Sequence, residues 1–246
     1  VQKQNDILTV ATLNIDWKKN LPTVFPFLLR QRADVICLQE VCEDALLDIA
    51  EAAGAHYFYA PMCGGGIHGT LGTVGIAIFS RLPLRRGHAH YYVGDPARIV
   101  ELDERTLESR HATTYRAVVF IEVQKGDTVY RIANTHFTWT PDGKADEFQR
   151  QDLQALLSIL KNKGEFLLCG DFNAPRGGEI FSTLSRCLKD NVPANCISSL
   201  DPERHRVKTP LMVDGIFSTP GYTVSDATMT FGVSDHAALT ARVSRK

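Results

Sequence analysis

Residues 165–173 read Glu-Phe-Leu-Leu-Cys-Gly-Asp-Phe-Asn. The apolar run Phe166–Cys169 has the length of a strand buried on both faces, and Gly170 followed by Asp171 closes it with a tight turn that carries a carboxylate. Ahead of it, Ala145–Lys161 places apolar residues at 148, 153, 156, 157 and 160, one face of a helix. The unit is therefore a helix, a buried strand, and polar residues at the strand's end. Outward from it the same rhythm predicts strands at Leu8–Leu13, Val35–Leu38, Val74–Ser80, Ala117–Val123, Tyr130–Thr135, Phe166–Gly170, Met212–Ser218 and Ala237–Val243. Helices are predicted at Pro22–Arg32, Glu43–Ala53, Ala145–Lys161 and Glu179–Leu184. This alternation is that of an α/β protein. No linker divides it, so a single domain over 1–246 is expected. Pro61–Gly72 and Arg85–Thr114 read as long loops on this frame, and Asp201–Lys208 as a solvated run of charge.

The bulk properties exclude more than they identify. Of 246 residues, 44% are hydrophobic and 22% charged, enough apolar material for a large core. No apolar run approaches the roughly 18 residues of a membrane span. The formal net charge of −1 gives no general attraction to nucleic acid, although a local basic groove stays open. The first residues lack the pattern of a signal peptide, so a cytoplasmic monomer is the provisional expectation, with a processed secreted form the alternative. Six cysteines without zinc-type spacing, two of them inside apolar runs, read as buried free thiols.

Six apolar runs end in, or lead into, residues suited to a cation or a phosphate. They are Thr12-Leu-Asn14-Ile-Asp16, Leu38-Gln-Glu40, Asn134-Thr-His136, Gly170-Asp171-Phe-Asn173, Val213-Asp214-Gly and Ser234-Asp235-His236. Open α/β sheets bind ligands beyond one rim of their strands, which predicts a shared site. If Asp16, Glu40, Asp171, Asp214 and Asp235 converge, their repulsion calls for a cation. Oxygen donors without cysteine favour Mg²⁺, with Mn²⁺ as substitute, over zinc. Neighbours in extended chain point to opposite sides, so Asp235 is poorly placed to orient His236. Asp214 is the expected partner of His236, leaving Asp235 to face the metal. Asp171 is expected to position or deprotonate water, and Asn173 to donate to a phosphoryl oxygen. Arg116, just before a strand, reads either as a phosphate clamp or as a surface salt bridge. Trp17 and Trp139 follow two of the motifs and are candidates for an aromatic wall against a base, a sugar or an acyl chain.

Taken in order, these motifs resemble those of the endonuclease/exonuclease/phosphatase superfamily over nearly the whole chain. Gly75–Leu84 and Asn134–Phe137 resemble its intervening strands as well. The resemblance implies a DNase I-like, four-layer αββα sandwich of two packed mixed β-sheets and metal-dependent hydrolysis of a phosphate ester. It implies Glu40 as principal metal ligand, with Asn14, Asp16 and Asp235 near the metal, and Asp171 and Asn173 around nucleophile and phosphate. His136 matches a histidine of the deoxyribonuclease and sphingomyelinase branches, where it lies near the phosphate or leaving-group oxygens. The leading substrate class is therefore a phosphodiester, either nucleic acid or a phospholipid headgroup. The alternative is a monoesterase acting on a small phosphorylated metabolite or inositol lipid; a non-catalytic binder of the same fold is the remaining one. The choice between Asp171 and His236 as proton acceptor stays open at this stage. Thr73-Val-Gly75 replaces an asparagine common in relatives, and Arg85–Thr114 aligns with no counterpart.

Overall fold

The structure is a computed structural model that describes residues 6–66 and 69–246. Ile67 and His68, within the expected loop Pro61–Gly72, lie outside the described residues. In chain order the first strands are β1 (Leu8–Asn14), β2 (Val35–Cys42), β3 (His56–Gly64), β4 (Thr73–Ser80), β5 (Leu84–Val93) and β6 (Arg116–Lys125). They are followed by β7 (Thr128–His136), β8 (Leu167–Asp171), β9 (Lys189–Asp190), β10 (Asp214–Ser218), β11 (Tyr222–Thr230) and β12 (Ala238–Arg245). The helices are α1 (Leu21–Gln31), α2 (Leu46–Ala53), α3 (Leu107–Thr113), α4 (Glu147–Leu160) and α5 (Glu179–Cys187).

The strands form two six-stranded mixed sheets, in the orders β11-β12-β1-β2-β4-β3 and β5-β6-β7-β8-β10-β9. Three apolar layers hold them. Val10, Cys37, Ile78, Val119, Ile132 and Cys169 lie between the sheets. Val24, Phe27 and Ile49 of α1 and α2 cover the outer face of the first sheet. Leu153, Leu156 and Phe181 of α4 and α5 cover the outer face of the second. This is the expected αββα sandwich, and it follows from strands apolar on both faces, which must be covered twice.

The eight strands read from sequence are the eight inner ones. β3, β5, β9 and β11 were not expected, and each is a sheet edge. Edge strands are half-solvated and are defended by charge or proline, which removes the apolar signal. Thus β5 carries Arg85, Arg86 and His88, and β3 tolerates Pro61. Neither long polar stretch is wholly irregular. Pro61–Gly64 ends β3, while Arg85–Val93 and α3 lie within the second stretch.

A buried polar clamp joins the two sheets just below the rim that carries the motifs. Asn134 of β7 donates to the backbone oxygens of Leu38 and Ala77 at 2.9 and 3.0 Å. Its Oδ1 accepts from Gln39 Nε2 at 2.7 Å. With both residues fully buried, every bond lost would leave a costly unpaired group. Register across the sandwich, and hence the alignment of the two rims, rests on this contact.

Candidate active site

Two parallel strand pairs deliver the first side chains. In β1–β2, Asn14 lies opposite Gln39, and an irregularity between Leu38 and Val41 turns Glu40 out of the ladder. Glu40 has φ 56°, a left-handed conformation unfavourable to glutamate, and this aims its side chain at the cleft. In β7–β8, His136 lies opposite Asp171. Here Gly170 belongs to the strand rather than a turn. A Cβ on it would stand 2.2 Å from the backbone oxygen of Thr135, so only glycine permits this approach.

Asn14 ties the two rims together. Its Nδ2 donates to Glu40 Oε1 and to Asp171 Oδ2, both at 3.1 Å, and its Oδ1 accepts from the Asp16 amide at 3.0 Å. Asp16 also pairs with Lys19 at 2.7 Å. Asp171, 1% exposed, accepts from the Asn173 amide at 2.8 Å. Asn173 holds its side chain by donating from Nδ2 to Phe137 O at 2.9 Å, which leaves the other proton of Nδ2 without that duty. So Asp171 and Asn173 form an Asx turn as well as lining the cleft.

His236 Nδ1 meets Asp214 Oδ2 at 2.8 Å, the expected pairing. Its Nε2 is 3.9 Å from Asp171 Oδ2. Asp235 instead accepts from Ser234 Oγ at 3.0 Å. Burial disfavours the charged imidazole, but Asp214, Asp171 and Asp235 outweigh it and hold His236 well above its usual pKa. Burial raises Asp171 to about 6, with Asp214 adding to the rise and the His236 cation opposing it. Burial likewise raises Glu40 to about 7, against the Asn14 hydrogen bond and helped by Asp235. His136 goes the other way: burial, then Arg116, depress it well below the imidazole range, so it is neutral at pH 7.

Arg116 is only 3% exposed and is no surface salt bridge. Its Nη1 donates to the His136 backbone oxygen at 3.1 Å, and among the described residues no carboxylate pairs with it. Trp17 and Trp139 both line the cleft. Trp17 also packs on the core of the first sheet, and the Arg110 guanidinium lies 4.3 Å above the Trp139 ring. The cleft has a volume of about 630 Å³ and takes in Asn14, Asp16, Glu40, His136, Asp171, Asn173, Asp235 and His236.

Two further features escaped the sequence reading. Asp201–Lys208 is exposed at Pro202, Glu203, Arg204, Arg206 and Lys208, as expected of a solvated run of charge, but Asp201 is buried, and Arg204, His205, Arg206 and Val207 line the cleft. α3, inside the expected loop, brings Arg110 to the same wall, and its His111 is fastened to Asp152 of α4 at 2.9 Å. Apolar periodicity could find neither, because both are short and charged. The alternation of Asp201 with helix-breaking Pro202 was the only available hint of a structured turn.

A model of the Endonuclease/Exonuclease/phosphatase family matches residues 11–241. The chain belongs to that family. No curated protein sequence matches this family member. Solved structures share its fold at low identity. One is an endonuclease/exonuclease/phosphatase from Bacteroides vulgatus, at 16% identity over 98% of this chain and 99% of that one, with a TM-score of 0.75. The human Nocturnin catalytic domain with bound sulfate is 18% identical over 100% and 96%, at 0.73. A mannosyl-6-phosphatase of Bacteroides thetaiotaomicron is 17% identical over 96% and 99%, at 0.69. These structures differ in what they are named for, and at 16–18% identity they establish the fold and not a substrate. Among the described residues no helix is long and apolar enough to cross a membrane.

The donor set suits a cation. Ligand atoms of Asp171, Asp214 and His236 lie within 4.8 Å of one another, as do those of His205, Asp235 and His236. The Asp214–His236 bond, however, already uses one side of the first group. Glu40, raised chiefly by burial and further by Asp235, lines the cleft together with that carboxylate, and oxygen donors of this kind match a hard divalent ion.

Proposed function

We propose that this protein is a magnesium-dependent phosphodiesterase in which water attacks phosphorus in line. The observation that carries the reading is the buried Arg116, a cation with no carboxylate partner among the described residues, in a cleft whose other wall is made of carboxylates. A phosphate bound between Arg116 and a cation held by Glu40 and Asp235 satisfies both walls. When bound, Mg²⁺ (or Mn²⁺) supplies Lewis-acid neutralisation of phosphate and departing oxygen. Asn14 orients Glu40 and Asp171, and Asp16 steadies Asn14 through its amide.

The opposed pKa shifts support a division of labour. With a value near 6, Asp171 is largely ionised at pH 7–8 and can take a proton from water, while the cationic His236 can donate one or stabilise charge. Asp214 keeps that ring oriented. Neutral His136 and the free proton of Asn173 serve as donors to phosphoryl oxygens. Trp17 and Trp139 form the aromatic sides against which the rest of the substrate lies.

A diester is favoured over a monoester by charge. Mg²⁺, Arg116 and the His236 cation together balance Glu40, Asp171, Asp214 and Asp235, so the site carries no net charge before substrate binds, and a monoanionic diester unbalances it less than a dianionic monoester. Side chains of both signs line the cleft, Arg204 and Arg206 as well as Glu104 and Asp142, with no excess of positive charge to favour a long polynucleotide over a small diester. Bis-p-nitrophenyl phosphate should be hydrolysed with Mg²⁺ or Mn²⁺, at least about tenfold more efficiently than p-nitrophenyl phosphate, and not in EDTA. Preference for the monoester would replace this reading with a phosphomonoesterase, and no metal-dependent hydrolysis of either would end it.

A further inference from the structure

Besides the groups already assigned a role, the cleft holds a third histidine. His205 sits on the charged segment before β10, and its ring meets that of His236 edge-on with centroids 5.5 Å apart. One ring nitrogen of each histidine and a carboxylate oxygen of Asp235 lie within 4.8 Å of one another, on the cleft wall.

The segment is built to hold this ring still. Asp201, 2% exposed, accepts backbone N–H bonds from Glu203 at 2.9 Å, Arg204 at 3.2 Å and Gly232 at 2.8 Å. Its own amide donates to Asp235 O at 2.8 Å, its carbonyl accepts from the His205 amide at 2.9 Å, and Ala237 N donates to Ser199 O at 2.7 Å. The loop bearing His205 and the loop bearing Asp235 and His236 are therefore one fastened unit. Asp201 thus fixes the turn that leads into His205 and fastens it to Gly232.

The tautomer follows from the same geometry. The Val207 amide donates to His205 Nδ1 at 3.0 Å, and an N–H can only donate, so Nδ1 is an acceptor. The contact of Nδ1 with Val207 O is longer, at 3.3 Å, and protonating Nδ1 to serve it would strand the amide. The ring hydrogen is thus on Nε2. A ring in this tautomer is not set up to ligate a metal through Nε2, but it is a fixed donor.

We infer that His205 is a further catalytic residue, donating from Nε2–H to a phosphoryl oxygen of the bound ester from its place beside Asp235 and His236. This rests on the phosphoester reading of the cleft. A neutral donor suits the position, because a second cation beside protonated His236 would oppose it, whereas a hydrogen-bond donor strengthens as charge develops on phosphorus. The bland alternative is that the ring only packs against His236.

Three variants separate these roles by atom. Phenylalanine keeps the ring without nitrogen, glutamine restores an N–H near Nε2, and asparagine restores one near Nδ1. With bis-p-nitrophenyl phosphate at saturating Mg²⁺, His205→Phe should lower kcat by about 10²-fold, the effect of losing one such donor. His205→Gln should return most of it and His205→Asn should not. A His205→Phe enzyme as fast as the unaltered one, or equal rescue by both amides, overturns the proposal. Titration of the same proteins with inorganic phosphate in Mg²⁺ reads the contact without turnover. Weaker binding in Phe and Asn but not in Gln upholds it even if the diester is not cleaved, and equal binding in all of them overturns it. Absence of turnover in the unaltered protein would count against the phosphodiesterase reading alone.

Discussion

At the rim, the β1–β2 and β7–β8 pairs are built alike: two parallel strands set side by side and joined through a helix, α1 in the first and α4 in the second, each ending in polar residues in register. They finish differently. The ladder around β2 is broken between Leu38 and Val41, and Glu40 emerges with a quarter of its side chain exposed. β8 stays in register to its last residue, and Asp171 remains 1% exposed, held by Asn14 and the Asn173 amide. One irregularity in a ladder thus separates a partly exposed carboxylate from one kept dry.

The hardest test of this contrast is Asp171→Asn. On the proposed chemistry kcat for bis-p-nitrophenyl phosphate at saturating Mg²⁺ should fall by about 10³-fold or more, with the circular dichroism spectrum retained. His236→Ala should follow it closely. Normal turnover in either would remove the chemistry from the buried end. Glu40→Gln should act instead through the metal. Its Mg²⁺ requirement should rise by more than the roughly 10–100-fold seen when only an orienting partner of a ligand is lost, and excess Mg²⁺ should restore part of the rate. A Mg²⁺ titration that superimposes on that of the unaltered protein would mean the two ends do not differ as described.

Asn134→Ala removes the clamp that links the two pairs, leaving Leu38 O, Ala77 O and Gln39 Nε2 short of a partner. A loss of about 2–3 kcal/mol in urea unfolding is expected. Little change would show that the rims align without it.

The smallest effect is that of pH on the metal-free protein. Between pH 8 and 6.5 the folded chain takes up protons at Glu40, and some at Asp171, that the unfolded chain does not yet bind. His236, raised in the fold, also stays protonated over this window. Stability therefore rises as pH falls, by roughly 1–2 kcal/mol, until the buried neutral His136 begins to oppose it below about 6.5. In Glu40→Gln the gain should be smaller. Thermal unfolding at the two pH values in EDTA measures it, and a fall in stability toward pH 6.5 would contradict the proposed burial of these groups.

Much of this architecture was legible without coordinates, and the pattern of what was missed is instructive. The inner strands announced themselves because most of their residues are apolar and covered on both faces, as in Val35–Leu38 and Phe166–Cys169. Edge strands such as His56–Gly64 and Tyr222–Thr230 did not, because half of each faces water. Asp214 was the expected partner of His236 and the structure joins them, although Ser234 and Asp235 lie in a bend rather than in the extended chain assumed for that expectation. Gln39 and Asn134 were legible only as parts of motifs. Their task is to join the sheets, and polar identity alone does not distinguish a clamp from a ligand.

The sequence by itself determined the α/β class, the order of the strand-end motifs and therefore the family, since these depend on residue type and local spacing. Only the tertiary structure decided which carboxylates are dry, that Arg116 is buried without a carboxylate partner among the described residues, and that His205 joins the cleft. Burial and charge pairing are set by groups that meet across the two sheets and their loops, at separations along the chain where no local pattern carries the information.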